Sequence, residues 1–514
     1  MKQRLCKLVV LLLLPLLLSG CWDAEPEPEN SGSLLPEGAE DTSSAETKLS
    51  LPSAFSLPYL SEQTLDPVAC ADGMQQVVGS LLYEGLFELD ETLEPQPVLC
   101  SSYTYQPESF TYIFTLRDGI TFSDGSPLTA ADVAATLQRA KNSERYRARL
   151  EQVISITGSG QNVTVVLGTA NTGFPALMDI PIVKSGTEGS LAPVGTGPYC
   201  LAQEEDSSVC LRRNSSWWKG KSQPLDRMML SPVSDQDTML YQFTSHDVQL
   251  ITADLTGTDS ISATGNVSFQ DADTTILQYV GFNTQRSTFQ DAALRRALSL
   301  GINRSTIVSA FLSGHGVAAQ FPLSPLSPLY PEELETAYSY DAFSSAMEAS
   351  GLNSGKSIHV TMIVNAENSF KVSVAEYIAA ALSAFDLQIS VKALPWEEYT
   401  AALAAGDYDL YYGEVKLTAD WNLTALLGTA GSLNYGRWSD AQTDLLLTAY
   451  ASSSTRKAAM QALCAYLQQQ MPIAPVCFKS TSVLVQTGVT EGLSPTMSNP
   501  FYNLPSCSFH LSEE

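Results

Sequence analysis

Phe110-Thr-Tyr-Ile-Phe-Thr-Leu116 is followed directly by Arg117-Asp118-Gly119-Ile-Thr-Phe122-Ser-Asp124-Gly125-Ser-Pro127-Leu-Thr129-Ala-Ala-Asp132-Val133. The first seven residues alternate and are rich in β-branched and aromatic side chains, the pattern of a strand. Asp118-Gly119 and Asp124-Gly125 are turn dipeptides. Thr129 stands where a helix N-cap is needed, and Val133, Leu137 and Ala140 give the following helix, through about Lys141, one buried face. Strand and helix signals of this kind mix from residue 48 onward, so the fold class is α/β. The 514-residue length exceeds one ordinary core and predicts two or three lobes.

Upstream lies a different kind of sequence. Lys2, Arg4 and Lys7 precede an apolar run, Leu8 to Leu18, interrupted by Pro15. Ser19, Gly20 and Cys21 follow. Charge, a short apolar core and small residues are the order of an export signal, and the run is well short of the ~20 residues of a spanning helix. Leu18-Ser19-Gly20-Cys21 resembles a bacterial lipobox. That resemblance implies residues 1–20 as a signal peptide and Cys21 as the acylated new N-terminus. The protein is then extracytoplasmic, held by lipid at the outer face of a cell membrane or in a periplasm. Residues 21–47 carry eight acidic residues, no basic one and no apolar period, the composition of a disordered tether.

Charge narrows the partners. The chain has 28 Lys+Arg against 55 Asp+Glu, a net charge of −27. Loss of residues 1–20 removes three basic groups and leaves 25 against 55, near −30. Such a surface repels phosphate backbones, so no nucleic-acid partner is expected. Cys6 leaves with the signal and Cys21 carries lipid, which leaves Cys70, Cys100, Cys200, Cys210, Cys464, Cys477 and Cys507. An exported chain can form disulfides, but seven is odd. Cys200 and Cys210 flank a hairpin centred near Glu205, which predicts a cross-strand disulfide. The alternative is two reduced thiols. The other five have no pairing legible in sequence. His246, His315, His359 and His510 are scattered without metal-ligand spacing, so neither metal nor cofactor is expected.

Several stretches together carry a family resemblance. Leu82-Tyr83-Glu84-Gly85-Leu86-Phe87-Glu88-Leu89 and the opening stretch through Val133 resemble the signature of the family 5 extracellular solute-binding proteins, the oligopeptide, dipeptide and nickel binders of ABC importers. Pro193-Val-Gly-Thr-Gly-Pro-Tyr199, Asn214-Ser-Ser-Trp217-Trp218-Lys-Gly220, Tyr279-Val-Gly-Phe-Asn283-Thr284, Asp291 to Ile302, Trp396-Glu-Glu-Tyr399, Gly406-Asp-Tyr-Asp-Leu410 and Gln468 to Pro475 extend it over about residues 50–490. Taken one by one, most of these motifs shape turns and cores. The resemblance implies a two-lobed periplasmic-binding-protein-like fold of type II, in its large three-subdomain form, with two crossing strands at the hinge. Lobe I would comprise 48–80, 191–277 and 478–514, with a subdomain inserted at 81–190. Lobe II would be 278–477.

It also implies a function: a monomer that captures a peptide or peptide-like solute between its lobes and delivers it to an ABC permease and its ATPases. In the family an Asp beside an aromatic pairs with the free amine of a bound peptide, and Asp420 in Thr418-Ala-Asp420-Trp421, which follows a strand expected at Asp407 to Glu414, aligns with it. Thr418 adjoins this pair. Trp421 and Trp396 are candidate cleft walls. Trp396 serves equally as core. Asn283 and Asn365 are candidates for ligand or backbone hydrogen bonds. The run after the pair, Asn422-Leu423-Thr424-Ala425, departs from the family, and no Arg or His set for a peptide carboxylate is evident.

Rival readings are a ligand sensor without transport, a binder of a metal chelate or other small solute, and a hydrolase. Gly351-Leu-Asn-Ser-Gly355-Lys356-Ser357 has one residue too few for a P-loop, and Ser454-Thr-Arg-Lys457 lacks the partner motifs of a penicillin-binding enzyme. A Gly-x-Ser-x-Gly elbow is absent, and the expectation is no enzyme.

Overall fold

A computed structural model describes residues 51–512 except 221, 263–264 and 353–354. The signal, Cys21 and tether readings lie outside the described residues.

The opening stretch folds as its pattern predicts. Thr111–Leu116 is a central strand of a four-stranded antiparallel sheet, between Cys100–Gln106 and Asn162–Leu167, with Val153–Ser159 at the far edge. Gly125 takes a left-handed φ of 81° in its turn. The helix runs Ala130–Asn142. Thr129 accepts from the Asp132 amide and Asp132 returns to the Thr129 amide, a capping box worth about 1 kcal/mol. Val133, Leu137 and Ala140 are buried against Tyr112 and Phe114 in one core.

A second sheet orders Ser56–Tyr59, Arg227–Pro232, Val209–Arg213 and Tyr199–Gln203. The Gly195 and Gly197 positions explain the Pro193–Tyr199 motif. A Cβ at Gly195 would stand 2.1 Å from the Leu82 carbonyl oxygen, and one at Gly197 would stand 2.5 Å from the Leu82 carbonyl carbon. Only glycine lets this loop lie on the end of helix Gly73–Leu82.

The third sheet has seven strands. Two of them, Val267–Phe282 and Ile473–Gln486, run antiparallel along their whole length. One end of the pair takes Leu250–Ala253. The other takes Gly316–Ala318 and Leu410–Lys416, beyond which lie Ile358–Asn365 and Leu387–Leu394. The pairing breaks between Asp273 and Leu277. The proposed lobe boundaries at 277/278 and 477/478 fall on these two strands. Buried Arg295 fastens the helix Arg456–Gln470 just before the second strand. It donates to the carbonyls of Gln470, Met471, Phe289 and Gln290, a cation at a helix C-terminus where the macrodipole favours one.

Two expectations need correction. The strand placed at Asp407–Glu414 is Leu410–Lys416 instead, because Asn283 Nδ2 takes the carbonyls of Gly406 and Tyr408 and holds that segment out of the ladder. The Cys200–Cys210 disulfide is not formed. The hairpin pairs Cys200 with Arg212 and Ala202 with Cys210, which puts the two cysteines a diagonal step out of register. Their thiols bond separately, Cys200 to the Arg212 carbonyl and Cys210 to Glu204 Oε1. All seven cysteines of the described residues are free thiols, and Cys200 is the least buried. Denatured protein alkylated without reductant and mapped by mass should carry a label on each of the seven. In native protein Cys200 should label first.

Candidate functional site

A cavity of about 770 Å³ opens among the segments 65–98, 145–149, 179–219, 416–419 and 496–505 and the seven-stranded sheet. That volume lies in the range of small-molecule sites. Its wall is built from the same motifs that shape the fold. The helix Gly73–Leu82 ends at Tyr83, which faces the cavity with Glu84 and Gly85 after it. Leu417 to Ala419 enter from the end of Leu410–Lys416, tied down by Leu417 N to Thr275 O (2.9 Å) and Thr275 Oγ1 to Leu417 O (2.6 Å). The turn Thr496–Asn499 closes another side.

The charges in this wall sort into two groups. Glu84 is buried and spent on structure: it accepts from Thr196 Oγ1, Trp217 Nε1 and Trp218 Nε1 at 2.7–3.2 Å and pairs with Lys219. Glu88 takes one hydrogen bond, from Asn499 Nδ2 at 2.5 Å. Burial raises its carboxyl above the ordinary 4.5, against the lowering effects of Asn499 and Lys219. The second group is cationic. Arg145 and Arg149 lie in the turns after the capped helix and both approach the Tyr146 ring. Arg149 is paired with Asp179, and burial lowers it to about 10. Lys416 closes its strand. Its side chain meets solvent inside the cavity while protein surrounds it, so burial, then Arg149 and Arg145, hold its pKa below the usual lysine value. Two hydroxyls of the wall, Tyr83 Oη and Thr496 Oγ1, are buried without a protein partner.

The profile of bacterial extracellular solute-binding proteins, family 5 Middle, matches residues 94–437. The chain belongs to this family. Among curated relatives, the glutathione-binding protein GsiB of Salmonella paratyphi A is 28% identical over 293 residues, 54% of this chain and 56% of that protein. The chain thus spans about half the length of the curated relatives it matches. Two solved structures share the fold over most of both chains. One is the periplasmic murein tripeptide binding protein MppA in its unliganded open form, with TM-score 0.74 and 18% identity over 90% of this chain and 98% of that one. The other is a nickel ABC transporter protein from Bacillus halodurans, with TM-score 0.73 and 19% identity over 87% and 98%. The fold is that of the type II periplasmic binding proteins.

The predicted site residues of this solute-binding protein are scattered relative to the cavity. Thr418 lines it. Asp420 stands two residues further on, 2% exposed and outside the lining. Its carboxylate accepts from Asn171 Nδ2 (2.8 Å), Thr418 Oγ1 (2.5 Å) and the Asn422 amide (3.3 Å), and so joins the loop after Asn162–Leu167 to the segment that follows Leu410–Lys416. Trp421 is not a cleft wall. It is fully buried, packs edge-on against Phe478 and takes a left-handed φ of 55°. Trp396 is half exposed at the start of helix Trp396–Ala405 and does not line the cavity. Asn283 is spent on the backbone bonds already described, and Asn365 Oδ1 accepts from the Glu367 amide. Both take the backbone role.

Sequence reasoning missed Arg145, Arg149, Lys416, Glu88 and Thr496. One signal was present: five of the 28 basic residues fall between 139 and 149 of a strongly acidic chain. Nothing local marks the others. A hydrolytic relay is not built at His315, Asp271 and Ser482. Ser482 donates to Asp271 (2.5 Å), and His315 turns the same nitrogen, Nδ1, toward both, so its other nitrogen is not on the serine. Among the described residues no cluster of His, Cys, Asp or Glu is placed to hold a metal ion.

Glu88 supplies a pH test. A carboxyl whose pKa is higher folded than unfolded binds its proton longer in the folded state. Its contribution to stability is therefore lost as pH rises from about its ordinary value through the raised one. Glu88→Gln removes the buried charge. The melting temperature of the variant relative to the parent should climb as pH rises above the ordinary carboxyl value of 4.5. A flat difference would contradict the assignment.

Proposed function

We propose that this cavity takes a peptide of two or three residues, or a solute of that size and chemistry, and that the protein hands it to an ABC permease at the membrane where Cys21 anchors it. The observation that carries the reading is the cavity itself: its volume, its unpartnered hydroxyls and its two signs of charge. Were it round, a space of 770 Å³ would be about 11 Å across, the span of about three extended residues. Relatives named for glutathione and for a murein tripeptide, both short peptides, support this size. The family's extracellular role and Leu18-Ser19-Gly20-Cys21 support the anchor.

Two carboxylates are candidates for the ligand's amine. Glu88 is in the wall. Asp420, the residue aligned with the family's amine anchor, lies behind it and would have to give up Asn171 to take an ammonium.

Calorimetry on the full chain in detergent should find tripeptides bound at least about tenfold tighter than nonapeptides. Absence of binding by any peptide would sink the reading. Preference for a free-amine tripeptide over its N-acetylated form should disappear in either Glu88→Gln or Asp420→Ala. Persistence in both variants would place the amine elsewhere. Cys21→Ser should abolish incorporation of labelled palmitate and release the protein from membranes, and retention of either would refute the anchor.

A further inference from the structure

Three charged side chains meet where the central strand pair is interrupted. Lys479 lies on the second strand, opposite the break between Asp273 and Leu277, and is 2% exposed. Its ammonium donates to Asp254 Oδ2 at 2.6 Å and stands 3.7 Å from Glu414 Oε2. Asp254 follows the strand Leu250–Ala253, and Glu414 belongs to Leu410–Lys416. The order of the sheet puts both members of the central pair between those two strands, so no ladder joins them directly.

A second link closes a ring. Lys371, in the first turn of Ser369–Leu382, pairs with Glu414 Oε1 at 3.1 Å, and Gln278 Nε2 donates to Glu414 Oε2 at 2.9 Å. Asn368, the N-cap of that helix, donates from Nδ2 to the Thr256 carbonyl at 3.1 Å. Thr256 returns to Asp254 Oδ1 through its amide (3.1 Å) and its hydroxyl (3.2 Å). Two acids balance two bases in this ring. Burial pushes the Glu414 carboxyl up, but Lys371, Lys479 and Gln278 together hold it below the ordinary 4.5. The balance depends on distance. Coulomb attraction falls as charges separate, and a buried ammonium that loses a carboxylate is costly. A bend at the break that parted Asp254 from Glu414 would leave Lys479 with one partner.

None of the three charges lines the cavity, yet each is two residues from one that does: Asp254 from Thr252, Lys479 from Thr481 and Glu414 from Lys416. Along a strand a step of two keeps the same face. We propose that Lys479 is a positioning residue: its ammonium ties the Leu250–Ala253 end of the central pair to Leu410–Lys416, sets the spacing of the cavity walls those strands carry, and so raises the affinity for the solute without touching it. The inference rests on the reading of this cavity as the ligand site. A solute that needs both walls binds only the tied arrangement, so loosening the tie lowers affinity by the fraction of molecules that leave it.

The test uses the full chain in detergent, with hydrogen exchange in the absence of solute and calorimetry with trialanine. It compares the parent with Lys479→Met, Asp254→Asn and Asp254→Glu. The Asp254 side chain is 42% exposed, so Asp254→Asn decides the matter should Lys479→Met not fold. Two strands separate its strand from segment 415–419 in the sheet. A local role for Asp254 would therefore quicken exchange over 250–257 alone. The tie predicts that Asp254→Asn quickens exchange at least about threefold over 415–419 as well, with 111–116 unchanged. Trialanine should bind Asp254→Asn at least about fivefold more weakly, and Asp254→Glu, which keeps the charge, should retain most of the parental affinity. Parental exchange over 415–419 in Asp254→Asn overturns the proposal, and so does quickened exchange with parental affinity for trialanine. If trialanine does not bind the parent, the short-peptide reading fails, and exchange over 415–419 alone upholds or overturns the tie.

Discussion

The antiparallel pair Val267–Phe282 and Ile473–Gln486 is the constraint on which the rest of the molecule depends. Each end of the pair recruits different strands, and its ladder is interrupted between Asp273 and Leu277. The interruption is not left bare. Thr274 Oγ1 donates to the Lys479 carbonyl at 2.6 Å and accepts from the Ile276 amide at 3.0 Å, while Thr275 Oγ1 donates to the Leu417 carbonyl. Side-chain hydroxyls replace the missing ladder bonds, so backbone groups buried at the break keep their partners. A ladder broken and satisfied in this way bends at lower cost than a continuous one. It also fixes Leu417 and Thr418, and through them one wall of the cavity.

The fold was largely legible because its signals are local. The alternation of Thr111–Leu116 and the Thr129 cap each state a geometric need within a few residues, and the structure meets both. The Asp407–Glu414 bounds shift for a non-local reason, since Asn283, just past the strand Val267–Phe282, takes the carbonyls of Gly406 and Tyr408. The Cys200–Cys210 expectation failed because symmetry about a turn was taken for register. A shift of the hairpin centre by one residue separates the two thiols by a diagonal step.

The site was much less legible. Asp420 and Trp421 are conspicuous in sequence, yet one bonds to Asn171, 249 positions away, and the other fills core. The residues that line the cavity come from segments hundreds of positions apart: Tyr83, Arg145, Lys416 and Thr496. Each in isolation reads as an ordinary surface charge or a packing residue. What distinguishes Tyr83 and Thr496 is a buried hydroxyl without a partner, and a missing partner is visible only once the chain is folded. The acidic balance sharpens this. On a surface with twice as many acids as bases, the gathering of Arg145, Arg149 and Lys416 at one recess stands out only in three dimensions.

The seven thiols have a practical consequence. A protein whose described cysteines are all reduced, and mostly buried, owes none of its covalent architecture to an oxidising compartment. No disulfide among the described residues has to form before it folds, and burial of most of these thiols shields them from pairing once it has folded. Material made in a reducing cytoplasm would share the covalent framework of material made after export, apart from whatever happens at residues 1–21.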